Sequence, residues 1–111
     1  MGRNSRLPKT PLPKLVRDLI PDLIKLDGGN PKVKTLHDDK EYLRALNDKL
    51  FEELEEYREK FDVEELVDVI EVVEALTELF DKVAPGEIRR IRNAKRSLKG
   101  GFAGRTYLTG V

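Results

Sequence analysis

Apolar residues recur at helical spacing through two consecutive segments of the chain, and this repeat constrains the fold most. The first apolar stripe consists of Leu43, Leu46, Leu50, Leu54, Tyr57 and Phe61. The second consists of Val69, Val72, Val73, Leu76, Leu79 and Phe80. Steps of three and four residues place each set on one face of an α-helix. We predict two long helices, from Asp38 or Asp39 to about Lys60 and from Asp62 to about Val83, with the aspartates as caps.

Shorter helices are predicted on either side of this pair. Residues 14–26 also show helical spacing, but Pro21 forbids a regular helix interior, so we expect a kinked helix or two short ones. Pro85 fits the first turn of a third long helix, which continues to about Leu98. These segments predict an all-α fold, an antiparallel bundle of about four helices with a short extended C-terminal tail.

The sequence predicts an N-terminal arm followed by one domain. Residues 1–13 contain three prolines among basic residues, which indicates an extended or disordered arm. Residues 14–111 have the length of one ordinary domain. Gly100-Gly101 ends the last helix, and residues 102–111 are predicted to be extended.

The composition excludes several kinds of site. The 111 residues include no cysteine and only His37 as histidine, which excludes disulfides, thiolate zinc sites, a cysteine nucleophile and a multi-histidine metal site. No apolar run approaches the ~18 residues that a membrane span needs, and no apolar region follows the basic N-terminus. We therefore expect a cytoplasmic protein without a membrane partner.

Charge is segregated along the chain, although 21 basic and 21 acidic residues give zero net charge. Residues 1–40 carry +4, residues 41–81 carry −11 and residues 82–111 carry +7. Charged residues make up 38% of the chain, against a typical value of about 25%, so the core must be small. Assembly as a homodimer or homotetramer would help such a chain to bury enough apolar surface.

Four of the central acids fall on or beside the apolar stripes. At about 100° per residue, Glu53 lies at the edge of the first stripe, with Glu56 one turn along on the same flank. Glu65 lies in the middle of the second stripe, and Asp68 lies close to Leu79. A carboxylate among apolar residues is costly unless it is paired or binds a cation. If the stripes pack together, these acids converge, and Mg²⁺ or Mn²⁺ would compensate their repulsion.

Structural roles for the same acids remain open. Asp62 followed by Glu65 resembles a capping box, in which Glu65 only closes the start of its helix. Glu56 and Lys60 have the spacing of a surface ion pair. Taken singly, each acid favours such a role, and only the joint arrangement favours a metal site.

Two acidic motifs on these helices resemble those of a known enzyme family. The chain reads Glu52-Glu53-Leu54-Glu55-Glu56 on the first helix and Glu65-Leu66-Val67-Asp68 on the second. These are similar to the E-E-x-x-E and E-x-x-D motifs of the all-α MazG-like nucleoside triphosphate pyrophosphohydrolases, relatives of phosphoribosyl-ATP pyrophosphohydrolase. The segments 14–21 and 99–105 look like the opening and closing segments of a small single-domain branch. The gap between the motifs is shorter than in many members, and Lys99 stands where we expect arginine.

The resemblance implies hydrolysis of a nucleoside triphosphate to the monophosphate and pyrophosphate. The residues it implies as ligands of Mg²⁺ or Mn²⁺ are Glu53, Glu56, Glu65 and Asp68. Glu52 and Glu53 become the candidate catalytic residues, with Glu52 holding a second metal ion or orienting the attacking water. The candidates for phosphate contact lie in the basic regions and are Lys14, Arg17, Lys99 and Arg105.

Three other functions remain open from the sequence. One is phosphoribosyl-ATP pyrophosphohydrolase activity at the same site. Another is a helical oligomerisation module without catalysis, in which the acids form a solvated face. The last is nucleic-acid binding through the basic segment 87–99, which the −11 centre argues against.

Overall fold

Four α-helices make up the regular structure. The computed structural model describes residues 12–111, and that part of the chain contains no β-strand. The helices are α1 (Ile20–Leu26), α2 (Asp39–Lys60), α3 (Val63–Val83) and α4 (Glu87–Lys99). The predicted all-α class is confirmed, while residues 1–11 of the predicted arm lie outside the described residues. None of these four helices is both long enough and apolar enough to cross a membrane.

The first helix is shorter than the sequence predicts, because it begins only at Ile20. Pro21 then lies in the first turn, where its missing N–H removes no helical hydrogen bond. Residues 14–19 precede the helix without helical structure. The predicted kinked helix or pair of helices over residues 14–26 is therefore a single short helix.

A two-residue turn joins α2 to α3, which pack antiparallel. Phe61 adopts a left-handed conformation with a φ of 52°, and its N–H donates to the Tyr57 carbonyl at 2.7 Å. The Asp62 carboxylate accepts the N–H of Glu65 at 3.0 Å, so Asp62 caps α3 as predicted. Asp38 occupies the corresponding position before α2 but makes no side-chain capping bond.

The first compact unit ends at Leu76. Its buried apolar residues are Leu46 on α2 and Val69 and Val72 on α3, and Leu46 is only 2% exposed. The predicted stripe of α2 is buried only in part, because Leu54 remains partly exposed. Since few side chains supply the buried apolar area here, each of them contributes a large share of the stability.

The second compact unit, Thr77–Val111, contains the end of α3, the whole of α4 and the tail. Its buried apolar residue is Leu79. Gly86 precedes α4 with a φ of 79° and donates its N–H to the Asp81 carboxylate at 2.9 Å. This turn holds Pro85 before the helix, so the prediction that Pro85 lies in the first turn of α4 is wrong.

The tail after α4 is exposed and has no regular secondary structure, in agreement with the predicted extended end. One turn interrupts it, in which the N–H of Arg105 donates to the Phe102 carbonyl at 3.0 Å. The side chains of Phe102, Tyr107 and Leu108 are almost fully exposed.

Truncating the central leucine tests how much the small core contributes to stability. We expect Leu46→Ala to lower the free energy of unfolding by about 2–5 kcal/mol, because it opens a cavity where the side chain is fully enclosed. The matched control is Leu98→Ala on α4, where Leu98 is 85% exposed and the expected change is within about 0.5 kcal/mol. Urea denaturation followed by circular dichroism measures both, and equal effects of the two substitutions would contradict the core assignment.

Candidate metal centre

Three carboxylates meet where α2 and α3 pack in the first unit. Glu53 extends from α2, and Glu65 and Asp68 extend from the first turns of α3. One oxygen of each residue lies within 4.8 Å of the corresponding oxygens of the other two. The spacing of three residues places Glu65 and Asp68 on one side of α3, where both face the same position on α2. We call Glu53, Glu65 and Asp68 the acidic triad.

Glu53 is the most enclosed member of the triad, with 8% of its surface exposed. Burial raises the pKa of its carboxyl, since the charged form loses its water. Lys49 works in the opposite direction, and the charges of Asp68 and Glu52 raise the pKa again. The pKa therefore stays above its ordinary value, which indicates a carboxylate whose negative charge is only partly compensated.

Glu65 has a buried carboxylate oxygen that is short of partners. Its Oε1 atom is inaccessible to solvent and has no hydrogen-bond partner. Burial raises the pKa of Glu65, Lys60 partly opposes this, and the neighbouring Glu56 and Asp68 raise it further. An unsatisfied oxygen beside other carboxylates is the arrangement that a hard divalent cation would stabilise. The charge of Glu56 thus acts on the triad, although Glu56 does not belong to it.

The capping-box alternative for Glu65 is only half realised. Asp62 accepts the backbone N–H of Glu65, as the motif requires. The reciprocal bond from the Asp62 N–H to the Glu65 carboxylate is not formed, since Glu65 Oε1 has no partner and its Oε2 lies 3.8 Å from Lys60. The structure also pairs Lys60 with Glu65, whereas the sequence suggested Glu56 as its partner.

Each carboxylate of the triad has one cationic neighbour. Lys49 Nζ lies 3.3 Å from Glu53, and Lys60 Nζ lies 3.8 Å from Glu65. The guanidinium of Arg17 donates to Asp68 Oδ1 at 2.8 Å. The Arg17–Asp68 pair is the most open of the three, since 51% of the Arg17 side chain is exposed. Arg17 is therefore the cation that can leave the triad at least cost.

Glu52 is held by two lysines next to the triad. Lys14 Nζ donates to Glu52 Oε2 at 2.5 Å, and Lys49 Nζ donates to Glu52 Oε1 at 3.2 Å. Burial alone would raise the pKa of Glu52, but the two lysines outweigh it and the pKa is lowered. Lys49 thus bridges Glu52 and Glu53, one residue outside the triad and one within it.

Two of the four residues predicted to contact phosphate, Lys14 and Arg17, lie in the irregular segment before α1 and reach acids of this centre. The Lys14 side chain is only 10% exposed and is bonded to Glu52, and Arg17 reaches Asp68. The other two predicted contacts, Lys99 and Arg105, belong to the second unit and are exposed there.

Sequence reasoning did not identify Lys49, which contacts two acids of the centre. Its spacing from Glu52 and Glu53 is three and four residues, which on a helix is the spacing of an ion pair. That signal is present in the sequence. It is weak because the same spacing recurs throughout a chain with 38% charged residues.

Part of the chain is similar to part of a known protein. An uncharacterized protein of Mycolicibacterium smegmatis (strain ATCC 700084 / mc(2)155) is 53% identical to the chain over 45 residues. Those residues are 40% of this chain and 45% of the relative, so the match spans less than half of either protein. No protein-family model matches the chain. No solved structure matches it either.

Neutralising Glu65 should stabilise the protein when no metal is bound. The raised pKa means that ionised Glu65 weakens folding at neutral pH, because the folded state binds its proton more tightly than the unfolded state. We expect Glu65→Gln to raise the melting temperature at pH 7 in EDTA. The advantage should shrink as the pH falls through the raised pKa towards 4.5, where wild-type Glu65 is itself protonated.

Calorimetry of both proteins between pH 4 and pH 8 measures this difference. Glu64→Gln, on the exposed neighbouring residue, is the matched control and should leave the melting temperature nearly unchanged. A lower melting temperature for Glu65→Gln at pH 7 would show that the Lys60 ion pair outweighs the burial of the charge.

Proposed function

We propose that the protein is a Mg²⁺- or Mn²⁺-dependent nucleotide pyrophosphohydrolase that converts a nucleoside triphosphate to the monophosphate and pyrophosphate. The observation that supports this best is the acidic triad, in which the buried Oε1 of Glu65 has no hydrogen-bond partner. An all-carboxylate donor set suits a hard divalent ion. The acidic motifs that resemble the MazG-like family contribute all three residues of the triad.

The proposed reaction needs positive charge at the scissile phosphate. The α-phosphorus of a triphosphate is shielded by anionic oxygens, and hydrolysis requires that their charge be neutralised. A bound divalent ion would supply that charge and would lower the pKa of a coordinated water. Glu53, Glu65 and Asp68 would hold the ion, and Glu56 would join them or take part through its charge on Glu65.

In this proposal, residues next to the triad position its lysines or contact the phosphates of the substrate. Glu52 has an oxygen on each of two lysines, which favours a role in positioning Lys14 and Lys49 over activation of water. Arg17 is half-exposed and lies at the rim of the centre, where it suits contact with a phosphate. Lys14 would have to leave Glu52 to make such a contact, so Arg17 is the stronger candidate.

The sequence suggests further phosphate contacts, a cellular compartment and an oligomeric state for this enzyme. Lys99 and Arg105 stay candidates for phosphate contact, because Arg and Lys beside a glycine pair allow close approach to an anion. We place the activity in the cytoplasm, since a chain without cysteine suits a reducing compartment. We also propose that the protein works as a homodimer or homotetramer. Phosphoribosyl-ATP is included among the substrates to be tested.

The first test is binding of the metal ion itself. We expect Mn²⁺ or Mg²⁺ to raise the melting temperature by several degrees, because a ligand at 100 times its Kd adds about 2.7 kcal/mol to folding. Glu53→Gln and Asp68→Asn should abolish the rise. Glu55→Gln, on an exposed residue of the same helix, should preserve it. Differential scanning fluorimetry with a metal titration measures each protein.

The second arm of this test is product formation. Purified protein with Mg²⁺ or Mn²⁺ is offered a panel of ribo-, deoxyribo- and modified nucleoside triphosphates and phosphoribosyl-ATP, and released pyrophosphate is measured. Release that disappears in Asp68→Asn supports the proposal. If no nucleotide releases pyrophosphate and Asp68→Asn changes neither activity nor metal binding, the protein is a helical module without catalysis.

Arg17 should compete with the metal ion for Asp68. We expect Arg17→Gln to tighten Mn²⁺ binding by about two- to fivefold, the value of one exposed ion pair that no longer has to be broken. The same change should raise KM for the nucleotide, because a phosphate contact is lost. Isothermal titration calorimetry with Mn²⁺ and steady-state kinetics provide the two readouts.

Arg58→Gln is the matched control for this prediction. Arg58 also forms an exposed ion pair on α2, with Glu55 at 3.8 Å, and neither residue belongs to the triad. Its replacement should change neither Mn²⁺ affinity nor KM. If Arg17→Gln weakens Mn²⁺ binding, Arg17 orders Asp68 for the metal and does not compete with it.

A further inference from the structure

Two rows of like charge run along α3 and α4, which are consecutive helices in the sequence. The basic row lies on α4 and consists of Arg89, Arg92, Arg96 and Lys99, spaced by three, four and three residues. The acidic row lies on α3 and consists of Glu64, Glu71, Glu74 and Glu78, spaced by seven, three and four. At about 100° per residue each row covers an arc of about 80° of its helix. Each is therefore a narrow charged ridge of one sign.

Neither row has a partner among residues 12–111, the part of the chain that the structure describes. All eight residues are exposed, and none of them forms an ion pair or a side-chain hydrogen bond with another described residue. The nearest acid of α4, Glu87, is paired with Arg90, which lies outside the basic row. The acids of the metal centre differ in this respect, since three cations pair with the triad and Lys14 pairs with Glu52. Like charges in a row repel each other unless a partner compensates them.

The two rows match in spacing as well as in sign. The acids Glu71, Glu74 and Glu78 repeat the spacing of Arg89, Arg92 and Arg96. At a rise of about 1.5 Å per residue, the basic row is about 15 Å long and the acidic row about 21 Å. A helix with the basic row could therefore lie along a helix with the acidic row and place three of its four cations beside a carboxylate.

Apolar surface beside the acidic row gives such a contact a second source of stability. Val67 lies within the arc of the acidic row and Ile70 lies next to it, and both side chains are about half-exposed. The methylene groups of arginine side chains can cover apolar surface of this kind while the guanidinium reaches a carboxylate. Covering this apolar surface would add to a small core, since the buried apolar residues among residues 12–111 are only Leu46, Val69, Val72 and Leu79.

We propose that the basic row of α4 docks on the acidic row of α3 in a second copy of this chain. In a two-fold symmetric pair the contact forms twice, because α4 of each copy meets α3 of the other. The occupant is a second copy because the chain itself supplies the complementary row with the same spacing. The −11 centre would repel a nucleic acid, the other partner that a basic row could attract.

Charge reversal on one row at a time tests this contact. By sedimentation velocity or light scattering, wild-type protein should have at least twice the mass of the 12.7 kDa chain at low salt. It should dissociate as NaCl approaches 1 M, where the Debye length falls to about 3 Å. Arg92→Glu with Arg96→Glu should leave a folded single chain, and so should Glu74→Lys with Glu78→Lys. The first variant places acids opposite acids, and the second places bases opposite bases.

Mixing the two double variants is the decisive experiment. Each contact in the mixed pair again joins opposite charges, so the mixture should regain the wild-type mass, and circular dichroism should show native helix content for each variant alone. Lys32→Glu with Lys34→Glu, which makes the same change in net charge before α2, is the matched control and should keep the wild-type mass.

Three results would overturn the proposal. They are a wild-type protein that is monomeric at low salt, reversed variants that keep the wild-type mass, and a mixture that does not reassemble. If the wild type is monomeric and Arg92→Glu with Arg96→Glu abolishes binding to a single-stranded oligonucleotide, the basic row serves nucleic acid instead. None of the substituted residues belongs to the metal centre or to the candidate phosphate contacts, so pyrophosphate release can fail without affecting this test.

Discussion

The burial of Glu53 and of one carboxylate oxygen of Glu65, where α2 packs on α3, is the constraint on which the rest of the first unit depends. Removing a carboxylate from water costs several kcal/mol unless a cation or hydrogen bonds replace the water. Here the replacement is incomplete, because the pKa of both residues is raised and Glu65 Oε1 has no partner. Apolar residues would make the contact between α2 and α3 stronger than Glu53 and Glu65 do. Carboxylates that weaken a packing contact favour a functional role.

The cations around the triad follow from the same constraint. Lys49, Lys60 and Arg17 each approach one carboxylate, and they arrive from α2, from the end of α2 and from the segment before α1. Residues 14–19 are irregular, since a helix there would place Pro21 in its interior. Arg17 reaches Asp68 from this irregular segment. Two ion pairs, of Lys14 with Glu52 and of Arg17 with Asp68, link this segment to α2 and α3.

Periodicity predicted the helices well and their ends less well. The long helices and the cap at Asp62 follow from spacing and from one capping residue, which are local properties. The start of α1 and the place of Pro85 depended on contacts and turn geometry that single residues do not reveal. Helical position predicted that four acids converge, and the structure groups three of them, Glu53, Glu65 and Asp68, without Glu56. The arrival of Arg17 at Asp68, 51 residues away, is a tertiary contact that no local pattern predicts.

The acids of the −11 segment fall into two groups in the structure. One group lies at the metal centre, and the other is the exposed acidic row of α3. The inward acids, Glu52 and the triad, meet cations within the chain, and burial acts on the pKa of Glu52, Glu53 and Glu65. Among the described residues, the acidic row of α3 meets no cation and the basic row of α4 meets no acid. Zero net charge therefore does not arise from internal pairing of the acidic centre with the basic end. Opposite charges of matched spacing are left exposed to solvent, and in the proposed pair a second copy supplies both rows at once.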